Sequence, residues 1–283
     1  MTEPIQTVQS IVNTWNCDEV GHMNVQFYVA AASDANRAFA VSHGQTGPVI
    51  SSRDHIRFHR ELRAGDIFAV MSGTSGTHEG RLILSHELRN SATGVLAATL
   101  TSRTDLPADL DAGPYARPSD LALPRGVPGA SSLPHLQLDD QAASSLIPIY
   151  QGVVHPEHCD ETGLMRQQHI MGRFSDGAAH LWQHVGFDRD TMIKARRGTV
   201  VLEMRLDRLT DVRAGTVLVG KSAMVEVMGR VLRFAHFLFD ASTGALMATG
   251  EAAAVMLDLD ARKTVAFSDE ENARLTPYLM KVT

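Results

Sequence analysis

The chain of 283 residues carries 26 Lys and Arg against 32 Asp and Glu, a formal charge of −6, with 44% hydrophobic and 20% charged residues. This suits one large or two ordinary globular domains and leaves no basic footprint for nucleic acid. Two cysteines exclude a disulfide framework, no window reaches the roughly 18 apolar residues of a membrane span, and the first ten residues lack a basic and apolar leader pattern, so the expectation is a cytoplasmic protein without a membrane partner.

An apolar, β-branched run over residues 8–15 predicts a first strand. It leads into NCDEVGHMN at 16–24, an acid, a glycine, a histidine and an amide just ahead of a helical pattern. Over 24–42, Phe27, Tyr28, Ala31, Ala35 and Ala38 recur at helical spacing. Turn chemistry then bounds four more strand-like runs near 53–60, 66–75, 81–89 and 95–104. Residues 106–145 contain Pro107, Pro114, Pro118, Pro124, Pro128 and Pro134 without periodicity, which reads as a semi-extended linker lying on the surface.

Beyond the linker the chain repeats itself. WNCDEVGHMN at 15–24 and EHCDETGLMR at 157–166 share Cys, Asp, Glu, Gly and Met at one spacing, with Ser33-Asp34 matched by Ser175-Asp176 at the same offset of 142. The offset then grows to 150, where LRAGD at 62–66 faces VRAGT at 212–216 and SATG at 91–94 faces STG at 242–244, which places an insertion of eight residues near 188–197. GRLILSHEL from Gly80 and GRVLRFAHFLF from Gly229 correspond as well. The later strands of the second half fall near 199–209, 216–227, 230–240 and 245–257, so each half reads as strand, helix and four antiparallel strands. The expected division is a domain over 1–105, the linker over 106–145, a second domain over 146–260 and a tail over 261–283. In the tail, SDEE at 268–271 is a capping box opening a short helix before Pro277.

An acid on a strand-to-helix loop has a chemical use, because the unpaired N–H groups and positive dipole end of a helix start can polarise a carbonyl or hold an oxyanion. Asp18, Gly21, His22, Met23 and Asn24, followed by Tyr28 four residues later, resemble the hot-dog thioesterases of the 4-hydroxybenzoyl-CoA thioesterase type. Those proteins carry an Asp, two residues, Gly-His, a hydrophobe and Asn, with an aromatic four residues on. The resemblance implies an α+β fold, a tandem or double hot dog in which each half wraps a five-stranded antiparallel sheet around a long helix, the two halves packing as a pseudo-dimer.

It also implies an acyl-CoA thioesterase with Asp18 as base or nucleophile and His22 and Asn24 as neighbours, needing no metal and no cofactor beyond the coenzyme A of its substrate. Gly21, Met23 and Tyr28 would adjoin the substrate, and Arg57, Arg60, Arg205 and Arg208 are candidate contacts for its phosphates, with a solvated strand face as the alternative for each. Asp18 as a loop or helix-capping carboxylate and Asn24 as a helix cap are the structural alternatives. Most of the electrostatic help is expected from the backbone N–H groups of residues 23–26.

The second copy keeps Asp160 and Gly163 but has Leu164 in place of His22 and Arg166 in place of Asn24, a departure from the family pattern. Asp160 therefore stands as a rival catalytic residue or as part of a degenerate scaffold. Asp34 and Asp176 are expected in solvent, and Cys17 and Cys159 as packing residues.

Other motifs carry less. His155, His158, Cys159 and Asp160 look like metal ligands, but their counterparts Asn13, Asn16, Cys17 and Asp18 do not share the histidines. GTVLVGKS at 215–222 matches the phosphate-loop pattern, yet it sits in a strand-like run with no helix after it. GTSGT at 73–77 fails the nucleophile-elbow spacing. The rival functions are an acyl-ACP thioesterase, which would want a basic docking surface, a hot-dog hydratase or dehydratase, whose longer signature is missing, and a non-catalytic acyl-CoA-binding module. Exposed sheet edges would allow a homodimer of double hot dogs.

Overall fold

The computed structural model describes residues 4–110 and 119–280; Pro114 and Pro118 of the expected linker lie outside them. The chain forms two compact units. The first comprises Met1–Pro124 with Asp160–Thr162 and Arg166–Met171, and the second Arg125–Cys159 with Gly163–Met165 and Gly172–Thr283.

In the first unit, strand β1 (Ile5–Ile11) is followed by helix α1 (Val25–Ser42) and by β2 (Ser51–Phe58), β3 (Ile67–His78), β4 (Arg81–Asn90) and β5 (Leu96–Pro107). The strands pair antiparallel in the order β1-β3-β4-β5-β2. On β3, Phe68, Val70, Ser72 and Thr74 are buried, and on β4, Leu82, Leu84, His86 and Leu88, so in each strand alternate residues face inward. Helix α1 buries Tyr28, Ala31, Ala32, Ala35 and Phe39, one stripe at helical spacing, and its alanines permit a close approach to the sheet. Phe39 and Ala40 join Leu82, Leu84 and Leu106 in one apolar cluster. The β3–β4 connection is two residues, Glu79 and Gly80, both at positive φ, the geometry that suits the right-handed twist of a hairpin.

The second unit holds α2 (Gln141–Ser144), β6 (Ile147–Val153), most of α3 (Gln167–His184), α4 (Arg189–Lys194), β7 (Arg197–Arg208), β8 (Val217–Met228), β9 (Val231–Asp240), β10 (Leu246–Asp258), β11 (Lys263–Val265) and α5 (Asp269–Leu275). Its antiparallel order is β7-β10-β9-β8-β6, and β11 pairs with β10 at Met256–Asp258, where β9 has ended. The eight-residue insertion is realised as α4, capped by Asp188, whose carboxylate accepts from Thr191 N. Ser268 and Glu271 form the expected reciprocal cap of α5. Each unit thus has five antiparallel strands in order with one long helix, the second adding the short β11 beside β10, and the tandem hot dog is the fold of the chain. Among the described residues, no helix is long and apolar enough to cross a membrane.

Three expectations need correction. The first strand ends at Ile11 rather than Trp15, because Asn13 N donates to Asn16 Oδ1 and Asn16 N to Asn13 O, closing a 3-10 turn over Thr14–Asn16 that leaves Trp15 74% exposed. The linker is not simply a surface strand, for Ala122, Val127, Leu136 and Ala143 are buried. Arg205 is neither on a solvated face nor available to a phosphate. It is fully buried, with Nε on Asp207 and NH2 on Glu251 at 2.8 Å each and NH1 on the carbonyls of Pro128 and Ala130. The segment 215–222 runs into β8 without a helix, in accord with the rejection of a phosphate loop on sequence.

Candidate active site

The loop between β1 and α1 is folded by its own backbone. Asp18 N donates to His22 O at 2.8 Å, Gly21 N donates to Asp18 O at 3.0 Å, and Cys17 bridges Met23. Such a tight reversal requires a left-handed residue, supplied by Gly21 at φ 81°. Inside it, Asp18 Oδ1 accepts from Val20 N and His22 N, both at 3.0 Å. The carboxylate is therefore aimed by the loop that carries it. It is half-buried, as are His22 and Asn24.

The loop is fastened to the turn between β2 and β3. Met23 N donates to Leu62 O at 2.7 Å, His22 bridges Arg63, and Leu62 N donates to the Tyr28 hydroxyl at 3.4 Å. Tyr28 is 3% exposed and packs edge-on against Phe58; burial pushes its phenol well above the ordinary value. It ties α1 to the connection between β2 and β3. At the helix start the Asn24 side chain accepts from Gln26 N at 3.1 Å, so its oxygen is a helix cap. Of the four N–H groups expected to help, Met23 N, Asn24 N and Gln26 N are engaged with Leu62 O, Asn16 O and Asn24 Oδ1. Val25, the first helical residue, has an N–H that helix geometry leaves without an intrahelical acceptor.

Beside this loop lies an open groove of about 270 Å³, lined by Arg60, Glu61 and Leu62 from the β2–β3 connection and Asn90, Thr93 and Val95 from the β4–β5 turn. Arg60 therefore stands at a concave surface. Arg57 does not share that groove lining, since its NH1 donates to the carbonyls of Asp120 and Leu123.

Glu61 and Arg63 were missed by the reading of the sequence. Glu61 Oε2 is 3.2 Å and Arg63 NH2 2.9 Å from His22 Nε2. The signal was present: an acid two residues before an Arg occurs at Glu61-Arg63 and again, 150 positions on, at Asp211-Arg213.

The second copy repeats the backbone and changes the side chains. Cys159 bridges Met165, Leu164 bridges Arg213, Met165 N donates to Val212 O at 2.7 Å, and Gly163 has φ 80°. Asp160 Oδ1 accepts from Thr162 N at 2.9 Å and Thr162 Oγ1 at 2.7 Å. Leu164, at the position of His22, brings no ring to the Asp211–Arg213 pair, which is 3.4 Å apart. Arg208 NH2 is bound to Met165 O.

Asp34 and Asp176 are exposed, although desolvation still raises the carboxyl of Asp34, so it stands among protein groups while touching water. Asp176 pairs with Arg173 at 3.5 Å. Cys17 and Cys159 are free thiols, directed at Asn13 O and His155 O. Among the described residues no three His, Cys, Asp or Glu side chains converge as metal ligands, and His158 instead accepts from Arg173.

A family model described as the thioesterase-like superfamily matches residues 12–110 and again residues 154–275. No curated protein matches the chain significantly. Among solved structures, a provisionally assigned oleoyl thioesterase from Lactobacillus plantarum is similar over 89% of this chain and 96% of its own, with TM-score 0.62 and 11% identity. An acyl-ACP thioesterase from Bacteroides thetaiotaomicron covers 88% and 96%, with TM-score 0.60 and 10% identity. The 12:0-ACP thioesterase from Umbellularia californica covers 87% and 92%, with TM-score 0.60 and 12% identity. At these identities the likeness is one of fold.

Proposed function

The chain belongs to the thioesterase-like superfamily and is a thioester hydrolase, and we propose that it cleaves an acyl-CoA to the free acid and coenzyme A at the loop carrying Asp18. The observation that carries this reading is the double N–H hold on Asp18 Oδ1, which fixes a carboxylate just before the start of α1. Oδ2 is the oxygen we assign to the water. It takes one proton as the water oxygen adds to the thioester carbonyl carbon, the oxyanion so formed is received by the Val25 N–H at the helix start, and collapse expels the thiolate, which takes up the proton held by Asp18. His22 adjoins this carboxylate, and Asn24 acts by capping the helix rather than by reaching the substrate. We place the reaction in the cytoplasm, where Cys17 and Cys159 stay reduced.

Coenzyme A is preferred as the carrier because a formal charge of −6 does not advertise the basic docking surface that a carrier protein would want. The second reading, an acyl-ACP thioesterase, draws on the full-length fold likeness to two such enzymes. Thiol release from short, long and aromatic acyl-CoAs, set beside the same acyl groups on a carrier protein, separates the two. Loss of turnover in Asp18→Asn with retention in Asp160→Asn is the expected result. Loss in Asp160→Asn alone would move the chemistry to the second copy, and turnover confined to carrier-protein thioesters would replace coenzyme A.

A further inference from the structure

His22 Nε2 has two neighbours that make opposite demands on it. Glu61 Oε2, at 3.2 Å, can only accept a proton, whereas Arg63 NH2, at 2.9 Å, can only donate one. A proton on Nε2 serves Glu61 and turns Arg63 away; a bare Nε2 serves Arg63 and sets a lone pair against the carboxylate. One nitrogen cannot satisfy both, so the protonation of His22 is decided by the contest.

The surroundings favour Glu61. Arg63 is 55% exposed and 3.7 Å from Glu61 Oε2, so its guanidinium can turn to water or to the same carboxylate at little cost. Glu61 is 30% and His22 21% exposed, and a charge-assisted bond between them replaces hydration that neither regains so easily. The backbone holds the partners in register, through the bridge from His22 to Arg63 and the bond from Met23 N to Leu62 O. The second copy is an internal control. It keeps the acid and the arginine as Asp211 and Arg213, and the bridge as Leu164 to Arg213, and lacks only the ring. The acid–arginine pair is thus common framework, and the histidine inserted into it is particular to the first unit.

Resting on the assignment of the chemistry to the Asp18 loop, we propose that Glu61 is the positioning residue of His22: its carboxylate accepts from Nε2–H and so selects, in the neutral ring, the tautomer whose Nδ1 is bare, while Arg63 is the opposing donor. Other charged groups of the neighbourhood are Asp18, whose Oδ1 accepts from His22 N, and Asp66, whose Oδ2 accepts from Arg63 N at 2.8 Å. Glu61 also lines the groove.

The test is made on the intact protein with histidine ring nitrogens labelled with 15N, the His22 signals being identified by their loss in His22→Gln. The expected result is an Nε2-protonated His22 in the wild type and in Arg63→Met, and a shift toward the Nδ1-protonated form in Glu61→Leu, which removes the acceptor and leaves Arg63 as the donor to Nε2. In parallel, Glu61→Gln should lower kcat by roughly tenfold to a hundredfold, the usual cost of removing the carboxylate that orients a functional histidine, with KM little changed. Asp211→Asn should leave both constants as they were. An unchanged His22 spectrum in Glu61→Leu, or an equal loss of kcat in Asp211→Asn, would overturn the proposal. Asp18→Asn, assayed alongside, judges the site itself: full activity there defeats the functional reading, while the spectra still report whether Glu61 holds His22.

Discussion

His86 Nε2 lies 2.9 Å from Asn36 Oδ1, a hydrogen bond from the middle of β4 to the middle of α1 between residues 1% and 2% exposed. The direction of each proton follows from it. Asn36 Oδ1 can only accept, so Nε2 is protonated and Nδ1 accepts from Ser72 Oγ at 2.7 Å, while Asn36 Nδ2 donates to Ser51 Oγ at 3.1 Å. The second unit keeps the Ser–His pair as Ser222 and His236, but there Ala178 stands in place of Asn36 and the ring of Phe174 stacks on His236 with centroids 5.0 Å apart.

Both histidines make the fold acid-sensitive. Burial pushes His86 and His236 down to about 3, whereas an unfolded histidine titrates near 6.5. Between those values the unfolded chain binds protons that the native chain refuses. Their contribution to stability is therefore complete above about pH 6.5 and declines on acidification, with a slope of roughly 1.4 kcal/mol per pH unit for each ring. Urea midpoints at pH 7 and pH 5 should differ strongly in the wild type, and less in a His86→Gln, His236→Gln double variant. Equal pH slopes would show that the rings do not carry the effect.

Asn36→Ala removes the acceptor of a buried N–H and the donor to Ser51 together. The expected loss is roughly 1–3 kcal/mol, the usual cost of leaving buried polar groups unpaired. Ala178→Ser at the matching position of the second unit should move the denaturation midpoint much less, because no partner there is deprived. Denaturant titration of both variants makes the comparison, and equal midpoints would mean that the chain of hydrogen bonds contributes little.

Much of this was legible before the coordinates. The repeat placed both long helices and the later strands, since amphipathic spacing and turn residues are local signals, and the run from Asp18 to Tyr28 singled out the loop. What was hidden depends on side chains meeting from afar. Trp15 reads as an apolar strand residue, yet the Asn13–Asn16 turn leaves it exposed. Arg205 reads as a surface charge, and only the arrival of residues 128–130 on β7 explains its burial. Glu61 lies 39 positions from His22, and nothing local to either announces their contact.

Gly21→Ala tests the geometry of the loop. No atom lies within 4 Å of an added Cβ, so the penalty is the backbone strain of a left-handed alanine, about 1–2 kcal/mol. Gly163, at φ 80°, predicts a similar loss of stability for Gly163→Ala. Activity should part the two. Gly21→Ala is expected to lower kcat well beyond what its stability loss explains, because Asp18 is aimed by N–H groups on either side of Gly21, whereas Gly163→Ala should keep kcat. Melting temperatures with kcat for both variants decide it, and equal kcat values would remove the loop geometry from the mechanism.

Arg205→Met should be among the more destabilising substitutions of the second unit. Four groups bond that guanidinium: the carboxylates of the fully buried Glu251 and the nearly buried Asp207, and the backbone carbonyls of Pro128 and Ala130. Glu251 would keep its bond to Arg233, itself shared with Glu226. Removing one partner of a buried ion pair leaves the other charge in a poor solvent, which costs about 3–5 kcal/mol. Glu203 holds the same strand to Arg125 N at 2.9 Å and to Gly126 N at 2.6 Å, so the segment would remain tied at one end and loosen at the other. Arg205→Lys restores the charge without the planar fork and should recover only part of the loss. Denaturant midpoints should rank wild type above Arg205→Lys above Arg205→Met, with faster proteolytic cleavage near residues 128–130 in both variants. A midpoint for Arg205→Met equal to that of the wild type would mean that the buried charges gain no net stability from their partner and that the linker is held without it.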